Sequence, residues 1–278
     1  MLFLTIPTPV LQPGDDLAAV LRTHAALRDG DIVVLSSKAV ATVEGAVIDL
    51  ASMEPTAEAE TWAKKTGSRG AAFIQAVLEE TKRLHGRVVG ACPGALLTEV
   101  KPEGLNHGTI LTANAGLDES NVAKGFAVGW PKDPVASVSK LRKSLVHVLV
   151  SSASSVSSVS SSLEHPKQPS APAKRIAIIL TDSCCRPRRL GVTAFALAVA
   201  GLDPLVSQAG RKDLFGKELR ITTEAVADQL ATAANFVMGN AGQSVPAVII
   251  RDHGLTLSDF AGWVPGIEPE EDLFRGVI

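Results

Sequence analysis

The sequence predicts a mixed α/β (α+β) fold from three observations. Apolar runs of strand length occur at 2–6, 32–36, 175–181 and 245–251. Patterns with the spacing of a buried helix face lie among them, most clearly at 71–84 and 224–238. Strands and helices do not follow a strict βαβ order, which favours a mixed arrangement over a purely parallel sheet.

The first part of the chain, residues 1–150, begins with two predicted strands that flank a helix. Gly14-Asp15-Asp16 marks the start of this helix, whose apolar face comprises Leu17, Val20, Leu21 and Leu27. The apolar spacing predicts a second helix over 71–84. Further along, a short strand at 108–116 leads into a turn, and residues 134–149 are predicted to be helical.

Residues 151–173 are rich in serine and then in proline, and they contain almost nothing that could support a core. This composition predicts a flexible linker or inserted surface loop between two sub-domains or parts of one domain. The last part, residues 174–278, contains predicted strands at 175–181 and 245–251 and a helix capped by Thr222 or Thr223. Residues 191–201 suit either a strand or a buried helix.

Composition narrows the functional classes. The chain has 278 residues and a formal net charge of -2, which argues against nonspecific nucleic-acid binding. No window has the apolar length of a membrane span, so no membrane partner is expected. The three cysteines, two of them adjacent, form a poor disulfide framework. We therefore expect a cytoplasmic protein.

Residues 176–190 combine a buried strand with polar and basic side chains. The apolar run is followed by Thr181, Asp182 and Ser183, and then by Arg186, Arg188 and Arg189. An aspartate at a strand end can hold a divalent cation, and guanidinium groups can bind phosphate or carboxylate. The residues alone leave open whether this is a phosphate site or a strand that ends in a solvated turn.

Two more segments place polar residues at predicted strand or helix ends. ANAGLDESN (113–121) offers Asp118 as a metal ligand and Asn121 as a hydrogen-bond partner for a base or ribose. MGNAGQSVP (238–246) is a glycine-containing loop whose backbone N–H groups could approach phosphates. Asn, Gly and Asp, the residue types that distinguish these segments, are also common in ordinary turns. The chain contains neither a P-loop nor a GxGxxG motif.

Several blocks of sequence are informative as an ordered set: GDDLAAVL (14–21), DGDIVVLSSKAV with VEG shortly after (29–45), FIQAVLEE (73–80), ANAGLDESN (113–121), ILTDSCCRPRRLGVTAFALAVAGL (179–202), GRKDLFGKEL (210–219), EAVADQLATAAN (224–235) and VPAVIIRD (245–252). Together they resemble the coenzyme F420-0:γ-glutamyl ligase family. They cover nearly everything outside 151–173. The resemblance implies the fold of that family.

The resemblance also implies an activity. Members of the family join L-glutamate to the carboxylate of a deazaflavin coenzyme precursor, with GTP and Mg²⁺ or Mn²⁺. The γ-phosphoryl group passes to the acceptor carboxylate, and the glutamate amine then displaces phosphate from the acyl phosphate. The expected partners are thus a small-molecule carboxylate and an amino acid, and the family suggests a homodimer.

Site residues follow by position in the matching blocks. The resemblance implies that the metal ligands are Asp118, Asp182, Ser183 and Asn240. It implies nucleotide contacts from Pro9, Val10, Leu11, Ser36, Ser37, Asn121, Met238, Gly239, Asn240, Ala241, Gly242, Gln243, Ser244 and Val245. We interpret Asp182, Arg186 and Arg189 as catalytic, the two arginines as anchors for phosphate or substrate carboxylate.

The chain departs from the family pattern inside the expected site. Asn240 stands where an acidic metal ligand is usual, Ser183 where threonine is usual, and Thr42 where a lysine is usual. An uncharged amide predicts weaker metal binding. Two alternatives therefore stay open: an amide ligase for a substrate unrelated to deazaflavins, and a catalytically silent nucleotide-binding homologue.

Overall fold

The computed structural model of the protein describes residues 1–154 and 175–276. Within these ranges the helices are α1 (Leu17–His24), α2 (Ser37–Val43), α3 (Ala57–Thr66), α4 (Ala71–Arg83), α5 (Pro134–Ser154) and α6 (Val226–Met238). The strands there are β1 (Leu2–Ile6), β2 (Ile32–Ser36), β3 (Val47–Asp49), β4 (Arg87–Cys92), β5 (Ala95–Val100), β6 (Ile110–Ala113), β7 (Phe126–Val128), β8 (Ala177–Cys185), β9 (Val192–Ala200), β10 (Val206–Ser207), β11 (Thr223–Glu224), β12 (Ala247–Arg251) and β13 (Ala261–Trp263).

The central element is a six-stranded sheet with the order β1-β12-β2-β8-β9-β13. β2 and β8 run parallel, and the other neighbouring strands are antiparallel. Smaller sheets are formed by β4-β5-β6, β3-β7 and β10-β11. The predicted mixed α/β fold is confirmed, and strands from both 1–150 and 174–278 contribute to the central sheet.

The central strands are buried on both faces, which explains their unbroken apolar runs. Along β2, Val33 and Leu35 lie in a large core cluster that includes residues of α1, α4 and α5. Ile32 and Val34 point the other way, into a second cluster that includes residues of α6. Because successive side chains of a strand point to opposite faces, one sheet contributes to a hydrophobic core on each side.

Helix boundaries agree with the sequence where the signal is local. Asp16 caps α1 by accepting a hydrogen bond from the Ala19 N–H, as its position before the apolar pattern suggests. The helix ends at His24, so Leu27 lies beyond it. The predicted cap of α6 is wrong: Thr223 belongs to β11 and pairs with Ser207, and α6 begins after Ala225, which makes no side-chain capping bond.

The ambiguous apolar stretch at 191–201 is a strand, β9. The helix predicted at 134–149 continues as α5 to Ser154, and thus into the segment predicted as a linker. The rest of that segment lies outside the described residues, and its flexibility stays a prediction. In the described part of the chain, no helix combines the length and apolar character needed to cross a membrane.

Candidate active site

A cavity of about 1120 Å³ opens where the parallel pairing of β2 and β8 ends. Ser36, the last residue of β2, pairs with Thr181 of β8, and both line the cavity. The carboxyl ends of neighbouring parallel strands are a common position for ligand sites in α/β proteins. The volume exceeds the roughly 300–1,000 Å³ of typical small-ligand pockets, which leaves room for a nucleotide and a second substrate.

Asp182 lies inside strand β8, which continues to Cys185. The expectation that the strand stops at Thr181, and with it the solvated-turn alternative, is wrong. A register shift after Leu180 skips Leu197 of β9. Asp182 follows Leu180 at a spacing of two residues, so its side chain shares the face of the large core cluster. Only 9% of Asp182 is exposed.

Both oxygens of the Asp182 carboxylate accept hydrogen bonds from the protein. The Trp130 indole Nε1–H donates to Oδ2 at 2.7 Å, and the Ser183 backbone N–H donates to Oδ1 at 2.9 Å. Burial raises the pKa of Asp182, and the Trp130 bond and the Lys38 charge oppose that rise without cancelling it. The sequence indicated the acid but gave no sign of its indole partner.

Asp118 also lines the cavity, in the loop between β6 and β7. Its Oδ2 accepts hydrogen bonds from the Lys38 ammonium and the Ser120 hydroxyl, and its Oδ1 accepts the Glu119 N–H at 2.8 Å. Burial alone would raise the pKa of Asp118. The bonds from Lys38 and Ser120 outweigh it and lower the pKa to about 2.

These residues form a donor set that fits a hard divalent cation. Asp118, Asp182, Ser183 and Asn240 all line the cavity and offer carboxylate, hydroxyl and amide oxygens. The Lys38 ammonium favours the ionised form of both Asp118 and Asp182. The space between these carboxylates therefore suits a positive charge. Among residues 1–154 and 175–276, no cluster of three His, Cys, Asp or Glu side chains has metal-ligand geometry.

The cavity also collects most of the residues expected to contact a nucleotide. Those that line it are Pro9, Val10, Leu11, Ser36, Asn121, Met238, Gly239, Asn240, Ala241, Gly242, Ser244 and Val245. The Thr8 N–H donates to the Ser244 carbonyl at 3.0 Å, which ties the N-terminal loop to the 238–246 loop. Gly239 has φ 75°, and a Cβ there would come within 2.5 Å of the Gln243 side chain. The tight turn therefore requires glycine.

Four expected residues do not line the cavity. Gln243 is exposed, and its Oε1 accepts the Ala241 N–H of the same loop. Ser37 is fully buried, and its hydroxyl has no hydrogen-bond partner among the described residues. Arg186 and Arg189 lie in the exposed turn between β8 and β9, where the Arg186 Nε–H donates to Thr193 Oγ1 at 3.3 Å. Their roles stay predictions.

We expect Lys38→Met to destabilise the protein at pH 7, with a smaller effect as the pH falls. An unfolded aspartate has a pKa near 4. Because the folded pKa of Asp118 is lower, at about 2, its ionised form adds stability above pH 4 that is lost as the pH falls toward 2. Thermal unfolding between pH 7 and pH 3 measures this difference.

Lys140→Met, at an exposed site on α5, is the control for Lys38→Met. A pH-independent effect of Lys38→Met would contradict the ion pair as its cause.

Comparison with known proteins places the chain among ligases. The model of the family described as F420-0:Gamma-glutamyl ligase matches residues 5–252. A coenzyme F420:L-glutamate ligase from Methanothermobacter thermautotrophicus is 35% identical over 276 residues, which cover 96% of this chain and 96% of that protein. The ligase of the same name from Methanocaldococcus jannaschii is 34% identical, with 96% of this chain and 94% of that protein covered.

Proposed function

Because the chain belongs to the F420-0:γ-glutamyl ligase family, we propose that it joins L-glutamate to the carboxylate of a deazaflavin coenzyme of the F420 type. The match over nearly the whole chain supports a ligase. The observation that carries the proposal is the shared cavity, in which the acids of the 113–121 and 176–190 segments meet the 238–246 loop. No single one of these segments specifies an activity.

The proposed reaction uses GTP to activate the acceptor carboxylate. The bond from the γ-phosphorus to the bridging oxygen breaks, the acceptor oxygen bonds to that phosphorus, and GDP leaves. The glutamate amine then attacks the acyl carbon, loses a proton and expels inorganic phosphate. A bound Mg²⁺ or Mn²⁺ would neutralise the charge that gathers between the phosphates and the carboxylate.

The residues of the cavity have separate tasks in this proposal. Asp118 and Asp182 supply charged oxygen ligands, and the Ser183 hydroxyl and the Asn240 amide, which line the same cavity, supply neutral ones. The 238–246 loop offers backbone N–H groups to phosphate oxygens. Lys38, freed from Asp118 by a metal, would have its ammonium available for the transferring phosphoryl group. Because one cavity holds both GTP and the acceptor, the γ-phosphoryl group and the carboxylate are kept close together for the transfer.

A ligation assay tests the proposal. The purified protein is incubated with GTP, Mn²⁺, L-glutamate and the deazaflavin acceptor, and phosphate release and the mass of the product are measured. We expect one phosphate for each glutamate added, and no product when the acceptor or the metal is omitted. GTP binding by calorimetry without turnover on any carboxylate tested would instead identify a silent nucleotide-binding homologue. Turnover only with unrelated carboxylates would identify a different amide ligase.

Asn240 provides a test of the metal site. We expect Asn240→Glu to raise the affinity for Mn²⁺ by roughly tenfold, because a charged ligand replaces an uncharged one. Gln243→Glu is the matched control, since it adds the same charge to the same loop at a position that does not line the cavity. Calorimetric titration with Mn²⁺ measures both. Equal affinities in the two variants would remove Asn240 from the metal site.

We also propose that the protein is a homodimer. Leu214, Phe215 and Ile221 are almost fully exposed within one short segment of the chain, and large apolar side chains exposed this close together favour a covering partner. Light scattering is expected to give twice the mass of one chain. Phe215→Asp is expected to weaken the dimer, because a charge would be buried in the interface. A monomer at all concentrations would contradict this proposal.

A further inference from the structure

We propose that Trp130 is a positioning residue that holds the Asp182 carboxylate so that its free lone pairs face the cavity. The inference rests on the proposed function, since it assumes that Asp182 binds a metal ion there. Trp130 itself does not line the cavity. It has a different role from that of the residues expected to contact metal or nucleotide.

The hydrogen bonds of Asp182 define the orientation of its carboxylate. The Trp130 Nε1–H occupies one lone pair of Oδ2 at 2.7 Å, and the Ser183 N–H occupies one of Oδ1 at 2.9 Å. A carboxylate oxygen has two lone pairs, so each oxygen keeps one for a ligand. Since Trp130 is only 2% exposed and belongs to the large core cluster, its N–H reaches Asp182 from the protein interior.

Trp130 can hold this position because its own ring is fixed on several sides. Phe195 and Trp263 each meet it edge-to-face, with ring centroids 6.3 Å away. Gly116 closes another side: a Cβ at that position would lie 2.5 Å from the indole. Gly116 has φ 81°, a conformation that suits glycine, so the backbone approaches the ring without steric strain. The indole N–H therefore has little freedom to leave Asp182.

A second indole in the same cluster shows what a purely structural N–H looks like. The Trp263 Nε1–H donates at 3.0 Å to the backbone carbonyl of Glu103. Trp130 instead donates to the charged side chain that lines the cavity. Without this bond, Oδ2 would lack its interior partner in a buried site, and the carboxylate would be free to turn toward Lys38. Partners of this kind commonly change metal affinity by about 10- to 100-fold.

Trp130→Phe and Trp263→Phe form a matched pair for the test. Each removes one indole N–H from the same aromatic cluster, but only the first N–H bonds to a cavity residue. We expect Trp130→Phe to weaken Mn²⁺ binding by about tenfold or more in calorimetry with the full-length protein. Trp263→Phe should stay within about twofold of the wild type. Thermal midpoints of the two variants check that folding is affected alike.

A measurement on the wild-type protein covers the case in which Trp130→Phe does not fold. The chain has three tryptophans, so ¹⁵N-indole labelling gives three side-chain N–H signals. Trp62→Phe and Trp263→Phe assign two of them, and the remaining signal belongs to Trp130. Mg²⁺ is expected to shift the Trp130 signal and to leave those of Trp62 and Trp263 in place. An unmoved Trp130 signal, or equal Mn²⁺ affinities in the two variants, would overturn the positioning role alone. A wild-type protein that binds neither cation, with or without GTP, would instead overturn the metal site of the proposed function together with this role.

Discussion

Asp182→Asn is expected to lower ligase turnover by roughly 10³-fold, the largest effect of any substitution considered. The change removes the charge of a carboxylate at the cavity wall, in a buried setting where lost electrostatic stabilisation costs most. An asparagine oxygen can accept only one of the two bonds that Trp130 and Ser183 donate, and its NH2 would meet the other donor. The thermal midpoint of the variant is therefore measured to check that the fold is retained. Steady-state kinetics with saturating GTP and Mn²⁺ measure the loss.

Asp228→Asn is the control for Asp182→Asn. Asp228 is also a partly buried acid whose pKa is raised by burial, and it accepts the Ala196 N–H at 2.8 Å, but it does not line the cavity. Its variant should keep nearly full turnover. A similar loss of turnover in both variants would indicate that replacing either buried acid disturbs the fold. Full activity in Asp182→Asn would remove Asp182 from the reaction.

Asp118→Asn is expected to cost about 10²- to 10³-fold in turnover and also to lower the thermal midpoint at neutral pH. The first effect follows from the loss of a charged metal ligand. The second follows because the pKa of Asp118 is lowered to about 2 in the folded protein, so its ionised form stabilises the fold at pH 7. Both quantities can be measured on one preparation, by kinetics and by calorimetry.

The pH dependence separates the two effects of Asp118→Asn. The stability difference from the wild type should shrink as the pH falls from about 4 toward 2, where Asp118 becomes protonated. Glu119→Gln is the control, since Glu119 is the next residue and pairs with Arg69 rather than Lys38. A loss of stability with unchanged turnover would make Asp118 a structural residue only.

Local patterns predicted the elements whose signals lie within a few residues. The Asp16 cap, the amphipathic α4 and the apolar β2 and β12 were all readable in this way. The pattern failed at 191–201, because a strand buried on both faces has no polar alternation to distinguish it from a buried helix. Thr223 could not be recognised as a strand residue, because its partner Ser207 is distant in sequence.

In the candidate site, too, the sequence identified local segments but not the contacts between residues that are distant in the chain. The blocks of sequence pointed to Asp118, Asp182 and the 238–246 loop, and the cavity joins them. They also pointed to Arg186 and Arg189, which are exposed in the β8–β9 turn and do not line that cavity. Nothing in the local sequence pairs Lys38 with Asp118 or Trp130 with Asp182, because the two members of each pair lie far apart along the chain.

The sequence by itself determined the family, the mixed α/β class and the segments whose polar residues the cavity brings together. These depend on residue types and spacings that the chain carries locally. Only the tertiary structure decided which acid is held ionised by a lysine and which is buried against an indole. The physical reason is that pKa and orientation are set by burial and by hydrogen-bond donors. Folding brings those donors together from separate parts of the chain.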